Sequence, residues 1–311
     1  MAFFTAASKA DFQHQLQAAL AQHVSEQALP QVALFAEQFF GIIALEELTQ
    51  RRLSDLVGCT LSAWRMLEQF DHAKPQVRAF NPDYEKHGWQ STHTAVEVLH
   101  ADLPFLVDSV RMELTRRGYS IHTLQTSVLQ VRRAADGTLL ELLPKDERAP
   151  DSHAESLIFV EIDRCASASA LRELEQSLLG VLADVRQVVG DFAAMKGKVG
   201  DLQARLEQVN LRIDADELDE IRDFLRWLAD DHFTFLGYEE FSVLEQGGDL
   251  HLLTVRDGQA VLGGADEPLA PVEAQMDGAE AVAVDGYTTL KFGDLLSRQD
   301  QVTQLKVPLS D

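Results

Sequence analysis

The chain has few cysteines, few basic residues and no long apolar run, and each scarcity excludes a class of protein. Its two cysteines, Cys59 and Cys165, are too few for a disulfide scaffold or a thiolate zinc site. Its 27 lysines and arginines face 50 acidic residues, and the formal charge of -23 repels nucleic acid and anionic membrane surfaces. Because no signal peptide and no apolar run of about 18 residues is present, we predict a cytoplasmic protein without a membrane span.

Catalytic signatures are missing as well. The sequence has no GxGxxG, P-loop, HExxH or CxxC motif, and its Gly-Gly pairs at 247 and 263 stand in polar turns. His87, His93 and His100 are spaced by six and seven residues, which favours surface or sheet histidines over metal ligands. We therefore predict no catalytic residue, no cofactor site and no metal site in this chain.

Helical periodicity dominates the first 75 residues, which we interpret as an N-terminal helical segment. A start that resembles a capping box, Ser8 with Asp11, precedes apolar residues four apart on one face. They are Phe12, Leu16, Leu20 and Val24, and the same spacing continues from Val32 to Leu67. The polar stretch from Asp71 to Gly88 contains two prolines and is interpreted as a linker or domain boundary.

A different pattern follows, in which strands and helices alternate. In order it gives a strand at 91–100, a helix at 102–118, two strands at 121–133 and 138–143 around the turn Asp136-Gly137, a central strand at 155–163 and a helix from Leu171 to Val185. The order β-α-β-β-(β)-α predicts an α+β domain over residues 76–190.

The remainder of the chain is predicted to hold connecting helices and a second module. Helical spacing continues over 191–230, with interruptions expected at Gly190, Gly197 and Gly200. From His232 onward, alternating segments separated by Gly247-Gly248 and Asp257-Gly258 predict a β-rich α+β module over 231–311. The ending LKVPLSD favours a chain that has been cut, so we expect this module to be incomplete.

Three strings resemble one family, the large bacterial NAD-dependent glutamate dehydrogenases. They are FNPDYEKHGWQSTHTAVEV at 80–98, DLPFLVDSVRMELTRRGYSIH at 102–122 and FLRWLADDHFTFLGYEEF at 224–241, in the order and spacing of the family. The resemblance covers essentially the whole chain. It implies that residues 76–190 form an ACT-like domain of ferredoxin-like βαββαβ order, and that the β-rich module is PAS-like or ACT-like.

The resemblance also implies what the chain does. It implies a non-catalytic N-terminal region for regulation and oligomerisation, within a parent enzyme that deaminates L-glutamate oxidatively to 2-oxoglutarate and ammonia while reducing NAD. The expected partners are further copies of the chain, the parent's catalytic region and an amino-acid or carboxylate effector, and NAD belongs to the parent alone. The alternative is a stand-alone ACT-like module that senses amino acids, which the downstream reading frame would distinguish.

One turn is the candidate effector site. In ACT domains the turn from the first strand to the first helix holds an amino-acid carboxylate on backbone N–H groups and a helix start. By this resemblance the candidate residues are Asp102, Pro104, Phe105, Asp108, Ser109 and Arg111, with Asp102 receiving the ligand's ammonium group. The alternative, which we favour, is that Asp102 caps the turn, Pro104 begins the helix, and Phe105 and Leu106 fill the core. Phe105 stands where ligand-binding ACT domains carry glycine.

Two further expectations concern arginines and the last strand. Arg111, Arg116 and Arg117 either bind an anionic effector or form a solvated helix face, and we favour the solvated face. An ACT domain ends in a fourth strand after its second helix, but this sequence continues as helix. The fourth strand is therefore missing, displaced or supplied by the strand that precedes Leu143.

Overall fold

The computed structural model describes residues 4–208 and 214–237, together with the backbone of four strands between Glu239 and Pro308. The chain forms two compact units, which divide between Val185 and Arg186. Both units combine helices with an antiparallel sheet, as the α+β prediction requires. The predicted helical segment (1–75) and most of the predicted ACT-like domain (76–190) lie within the first unit.

Four helices open the first unit. They are α1 (Lys9–Leu20), α2 (Leu29–Phe39), α3 (Leu45–Thr49) and α4 (Leu53–Glu68). The predicted start of α1 is confirmed, because the Ser8 hydroxyl accepts the Asp11 N–H while the Asp11 carboxylate accepts the Ala7 N–H. Pro30 lies in the first turn of α2, where its missing N–H costs no helical hydrogen bond.

A five-stranded antiparallel sheet follows. Its strands are β1 (Gln76–Phe80), β2 (Thr94–Ala101), β3 (Ile121–Arg133), β4 (Leu139–Leu142) and β5 (His153–Ile162), in the spatial order β1-β2-β5-β3-β4. A short helix α5 (Tyr84–His87) stands between β1 and β2, and α6 (Leu106–Arg116) stands between β2 and β3. The prediction that 155–163 holds a central strand is confirmed, because β5 lies in the middle of the sheet.

The interpretation of residues 71–88 as a linker is wrong for its middle part. Residues 76–80 form the edge strand β1, which pairs along its whole length with β2. The prolines that suggested a linker, Pro75 and Pro82, flank the strand without interrupting it. Proline is tolerated at the end of an edge strand because no ladder hydrogen bond is lost there.

The position of β1 bears on the missing fourth strand. β1 pairs with β2 on the side opposite to β5. The sheet is therefore completed by a strand that precedes the strand predicted at 91–100 in the chain. The strand that precedes Leu143 is β4, which pairs with β3 at the opposite edge, so the expectation that it supplies the fourth strand is wrong. Among the described residues, the next strand after β5 belongs to the other sheet.

A single helix, α7 (Ala168–Gln208), follows β5, and the interruptions expected at three glycines are wrong. Gly190, Gly197 and Gly200 all lie inside it. A glycine in a helix interior costs only about 0.5–1 kcal/mol. The apolar side chains of Val188, Met195, Val199, Leu202 and Leu206 offset this cost, because all five are buried.

Both faces of the sheet are buried in the first unit. Since side chains alternate along a strand, Ala95, Leu99 and Phe159 share one face, and they belong to the same hydrophobic cluster as the buried residues of α1, α2 and α4. Val96 and Val160 on the opposite face are also fully buried. The N-terminal helices and the sheet therefore fold around one core.

The second unit contains the end of α7 and α8 (Ala215–Trp227), which continues as a π-helical turn (Leu228–His232). Its sheet consists of β6 (Glu239–Gln246), β7 (Asp249–Val255), β8 (Tyr287–Phe292) and β9 (Thr303–Pro308), antiparallel in the order β7-β6-β8-β9. The predicted strands of a β-rich module are thus present. The turns predicted at Gly247-Gly248 and Asp257-Gly258 lie outside the described residues. In the described ranges no helix is long and apolar enough to cross a membrane.

Candidate functional site

The predicted effector residues lie on the segment that joins β2 to the start of α6. The Asp102 N–H donates to the carbonyl of Ala154 at 2.9 Å, and the Ser156 hydroxyl donates to Asp102 Oδ1 at 2.5 Å. Both partners belong to β5, so Asp102 fastens the end of β2 to the central strand. The side chain remains exposed, but one of its carboxylate oxygens already has a protein donor.

Phe105 has an unusual backbone conformation in this turn. Its φ is 70°, in the left-handed region, and it directly precedes the first residue of α6. The favoured alternative for this turn is wrong in two respects, because Phe105 is 46% exposed and Pro104 precedes the cap instead of beginning the helix. Leu106 does fill the core. The turn keeps a glycine-like conformation, which costs a non-glycine residue about 1–2 kcal/mol.

The other three predicted residues lie on the first turns of α6. Asp108 and Arg111 are exposed and face each other at 3.3 Å, and Ser109 is buried with its N–H donating to the Phe105 carbonyl. An exposed pair three residues apart contributes little to stability. The pair does, however, compensate the charge of Arg111, which is the one arginine among the predicted effector residues.

Arg116 and Arg117 lie on the exposed face of the helix, as the favoured prediction had it, but their charges are compensated because both hold Glu113. Arg116 binds both carboxylate oxygens, at 2.6 and 2.7 Å, and Arg117 Nε donates at 3.0 Å. Burial by itself would raise the pKa of Glu113, but hydrogen bonds from Arg116, Ser177 and Arg117 outweigh it and lower the pKa to about 2. The two arginines are thus committed to a carboxylate of their own helix.

Three buried glutamates lie on the sheet face that packs against the N-terminal helices. Glu155 on β5 forms the most enclosed pair, with Arg133 Nε at 2.6 Å and Arg133 Nη2 at 2.7 Å. Two further guanidinium hydrogens donate to the carbonyls of Gly137 and Leu67, and His72 Nε2 lies 2.8 Å from the carboxylate. These contacts satisfy a charged pair whose side chains are almost completely buried.

Glu97 on β2 is held in a similar way. Arg78 of β1 donates to Oε2 through Nε and Nη2, and the Ser62 hydroxyl of α4 donates to Oε1 at 3.0 Å. Burial raises the pKa of Glu97, while the charge of Arg78 and the two sets of hydrogen bonds oppose that rise. The contact fastens the edge strand and α4 to the sheet.

The third glutamate, Glu161, lies at the opposite end of β5 from Glu155 and lines an open cleft. Arg51 donates to it at 2.6 Å and to the Thr123 hydroxyl at 3.0 Å, while the Ser91 hydroxyl donates at 2.9 Å. The cleft has a volume of 760 Å³, within the range usual for small-molecule sites. Its walls come from the end of α3, the start of α4, residues 89–93 and the start of β3.

Two histidines form one wall of this cleft. The ring centroids of His93 and His122 are 4.0 Å apart, and His122 Nε2 lies 2.8 Å from Asp163 Oδ1. Hydrogen bonds from the Ser120 backbone N–H and from His122 lower the pKa of Asp163 to about 2. Across the described part of the chain, no three acidic, histidine or cysteine side chains are grouped to hold a metal ion.

Arg52 and Trp89 also belong to the lining of this cleft. Within the described residues, Arg52 has no ion pair and Trp89 Nε1 has no hydrogen-bond acceptor, although Trp89 is only 2% exposed. The indole packs directly against α4, since a Cβ added at Gly58 would lie 2.5 Å from Trp89 Cβ. Glycine is therefore required at position 58, because a larger residue would keep Trp89 from packing so closely against α4.

The cleft was not predicted from the sequence. The polar groups that meet at Glu161 are far apart in the chain, with a separation of 110 residues between Arg51 and Glu161 and of 70 between Ser91 and Glu161. The available signal was the string WQSTH at 89–93, which contributed to the family resemblance without suggesting a site. Arg51 and Arg52 adjoin no motif, and only the fold brings them to that string.

Comparison with known proteins identifies related sequences. Residues 35–178 match the family described as "Glutamate dehydrogenase, ACT1 domain". The chain is 68% identical over 246 residues to an NAD-specific glutamate dehydrogenase of Pseudomonas aeruginosa, and 41% identical over 263 residues to one of Halomonas elongata. A third relative with the same name, from Mycobacterium tuberculosis, is 31% identical over 152 residues.

These alignments cover most of this chain but a small part of each relative. They include 79% and 84% of the chain for the first two relatives, against 15% and 16% of the relatives themselves. For the third they include 49% of the chain and 9% of the relative. The chain therefore corresponds to one section of much longer proteins.

Proposed function

Because residues 35–178 belong to the glutamate dehydrogenase ACT1 domain family and most of the chain matches one section of NAD-specific glutamate dehydrogenases, we propose that it is a non-catalytic regulatory and assembly region of such an enzyme. The parent would oxidise L-glutamate to 2-oxoglutarate and ammonia with NAD. In this proposal the region lies on the N-terminal side of the catalytic part, and NAD binds elsewhere in the parent.

The strand order supports a modified ACT fold. We propose that β2, α6, β3, β5 and α7 correspond to the βαββα part of a ferredoxin-like ACT domain, and that β1 takes the place of the final strand. All neighbouring strands are antiparallel, as that fold requires. For the second sheet, a PAS-like identity is supported by the family resemblance alone.

The observation that carries the assembly role is the outer edge of β3. The short strand β4 pairs with residues 131–133 and the Leu143 N–H donates to the Gln130 carbonyl, so residues 121–129 have no strand partner on that side within the described chain. An unpaired edge of this length is a template for another strand. The turn at Asp102 is connected to β3 through the central strand, because Val128 pairs in register with Ser156, whose hydroxyl donates to Asp102.

We propose that this edge pairs with the same edge of a second copy. Identical strands can pair antiparallel across a two-fold axis, which closes the assembly at a dimer. Val128 supports this arrangement, because it is a β-branched apolar residue on the edge and is 46% exposed. The long relatives would then be joined through their ACT domains, and a ligand that changes this contact could regulate them.

The experiment is sedimentation equilibrium of the whole chain over a range of concentrations. The wild type is expected to dimerise, and Val128→Lys is expected to weaken the dimer at least roughly tenfold, because the lysine charge would be desolvated in the paired edge. Ile42→Lys is the matched control, since Ile42 is 59% exposed in the segment between α2 and α3. A monomeric wild type, or equal effects of both variants, would contradict the proposal.

A further inference from the structure

We propose that the cleft beside Glu161, and not the turn at Asp102, binds the effector, and that the ligand is a small amino dicarboxylate. The cleft is defined here by Glu47, Arg51, Arg52, Asp55, Trp89 and His122. This inference rests on the proposed regulatory function and names the site and the class of its ligand. It is independent of the dimer edge.

The turn has no uncompensated cation for a carboxylate. Arg111 faces Asp108, and both Arg116 and Arg117 hold Glu113. Phe105 also occupies the position in front of the helix start, where an approaching carboxylate would need room. A ligand at the turn would have to displace an existing ion pair, and the free energy lost there would offset the gain from binding.

The cleft, in contrast, has donors that lack acceptors. Arg52 has no ion pair in the described structure, and it stands at the start of α4, a 16-residue helix without a side-chain cap. Arg51 uses Nη2 for Glu161 and Thr123. Trp89 belongs to the same lining, and its buried indole N–H has no acceptor within the described residues. Guanidinium groups and a helix start are suited to carboxylate oxygens.

The same lining also contains carboxylates, which makes a plain anion a poor ligand. Glu47 is half exposed and stands 3.9 Å from Arg51, and Asp55 uses Oδ1 to accept the Gln90 N–H. With Glu161 compensated by Arg51, the two remaining carboxylates face one remaining arginine. The ammonium group of an amino dicarboxylate can pair with Glu47 or Asp55 while a carboxylate pairs with Arg52, whereas a dicarboxylate without the ammonium group has only repulsion from Glu47 and Asp55.

Several of these groups are already held in position. Glu161 and Thr123 fix the guanidinium of Arg51, and Gln90 fixes the carboxylate of Asp55. Contact with Gly58 fixes Trp89. Binding to a preorganised site loses less conformational entropy, so a small ligand can bind with useful affinity.

The test is isothermal titration calorimetry of the whole chain with L-glutamate and, separately, with 2-oxoglutarate. The two probes have the same two carboxylates and differ in the ammonium group. We expect L-glutamate to bind and 2-oxoglutarate to bind at least roughly tenfold more weakly. Equal affinities would overturn the zwitterion assignment, and absence of L-glutamate binding in the millimolar range would overturn the proposal as a whole.

Variants locate the site. Arg52→Gln is expected to reduce L-glutamate affinity at least roughly tenfold, while Arg65→Gln, an exposed arginine on the same helix outside the cleft, is expected to leave it unchanged. Glu47→Gln should weaken the binding of L-glutamate without weakening the binding of 2-oxoglutarate. It also provides a second exposed position to test if Arg52→Gln folds poorly.

Loss of L-glutamate binding in Asp102→Asn, with binding retained in Arg52→Gln, would place the ligand at the turn. That result would overturn this inference and leave the proposed regulatory function standing.

Discussion

The turn at Asp102 and the cleft beside Glu161 lie near opposite ends of β5, and they differ in how their charges are paired. On α6, the helix that follows the turn, the pairs are local, because Asp108 with Arg111 and Glu113 with Arg116 are each three residues apart. At the cleft, Arg51 and Glu161 come from distant parts of the chain. A helix surface can compensate its own charges, so a charged helix beside a family motif need not be available to a ligand.

The largest expected effect concerns the buried glutamates at the two ends of β5, which should differ in how much unfolding free energy is lost when each is removed. Glu155→Ala would leave Arg133 buried without a counter-ion and should cost about 3–5 kcal/mol of unfolding free energy. Glu161→Ala should cost only about 1–3 kcal/mol, because Arg51 is partly exposed and can be hydrated. Urea unfolding followed by tryptophan fluorescence in a Trp227→Phe background reports on the first unit through Trp64 and Trp89. Similar losses in the two variants would contradict this comparison.

A second prediction concerns the wall of the cleft. Gly58→Ala would place a methyl group 2.5 Å from Trp89 Cβ and 2.9 Å from the Gly88 carbonyl oxygen. We expect a loss of about 1–3 kcal/mol from overpacking, together with weaker L-glutamate binding, because Trp89 must move. Gly180→Ala on α7 is the control, since nothing lies within 4 Å of its Cβ position. It should stabilise the helix by about 0.5–1 kcal/mol. A tolerated Gly58→Ala would show that the contact with Trp89 is not tight.

The smallest expected effect is at the turn. Phe105→Gly should raise the unfolding free energy by about 0.5–1 kcal/mol, because relief of the left-handed backbone exceeds the entropic cost of glycine. Gly118 has a φ of 82° and no neighbour near its Cβ position. Gly118→Ala should therefore lower the unfolding free energy by about 1 kcal/mol, because alanine is strained in this left-handed conformation. Thermal unfolding measures both. A destabilised Phe105→Gly would show that the half-exposed ring makes contacts worth more than the strain.

Local sequence signals predicted most of the elements. The Ser8–Asp11 cap, the turn at Asp136-Gly137 and the apolar run of β5 each depend on interactions within a few residues, and the structure has these features where they were expected. The prolines around β1 misled the interpretation, because an edge strand permits proline at its ends. The glycines of α7 misled it as well, because burial of an apolar helix face outweighs the small cost of each glycine.

The sequence by itself indicated the resemblance to one family, through three long strings, and the two types of secondary structure along the chain. Tertiary structure decided that β1 completes the sheet, that the N-terminal helices cover one face of it, and that Arg116 and Arg117 are committed to Glu113. It also decided that Arg51, Trp89 and Glu161 line one cleft. The reason is that periodicity and capping act over a few residues, whereas the pairing of charges and strand edges depends on which distant segments the fold brings within a few ångströms.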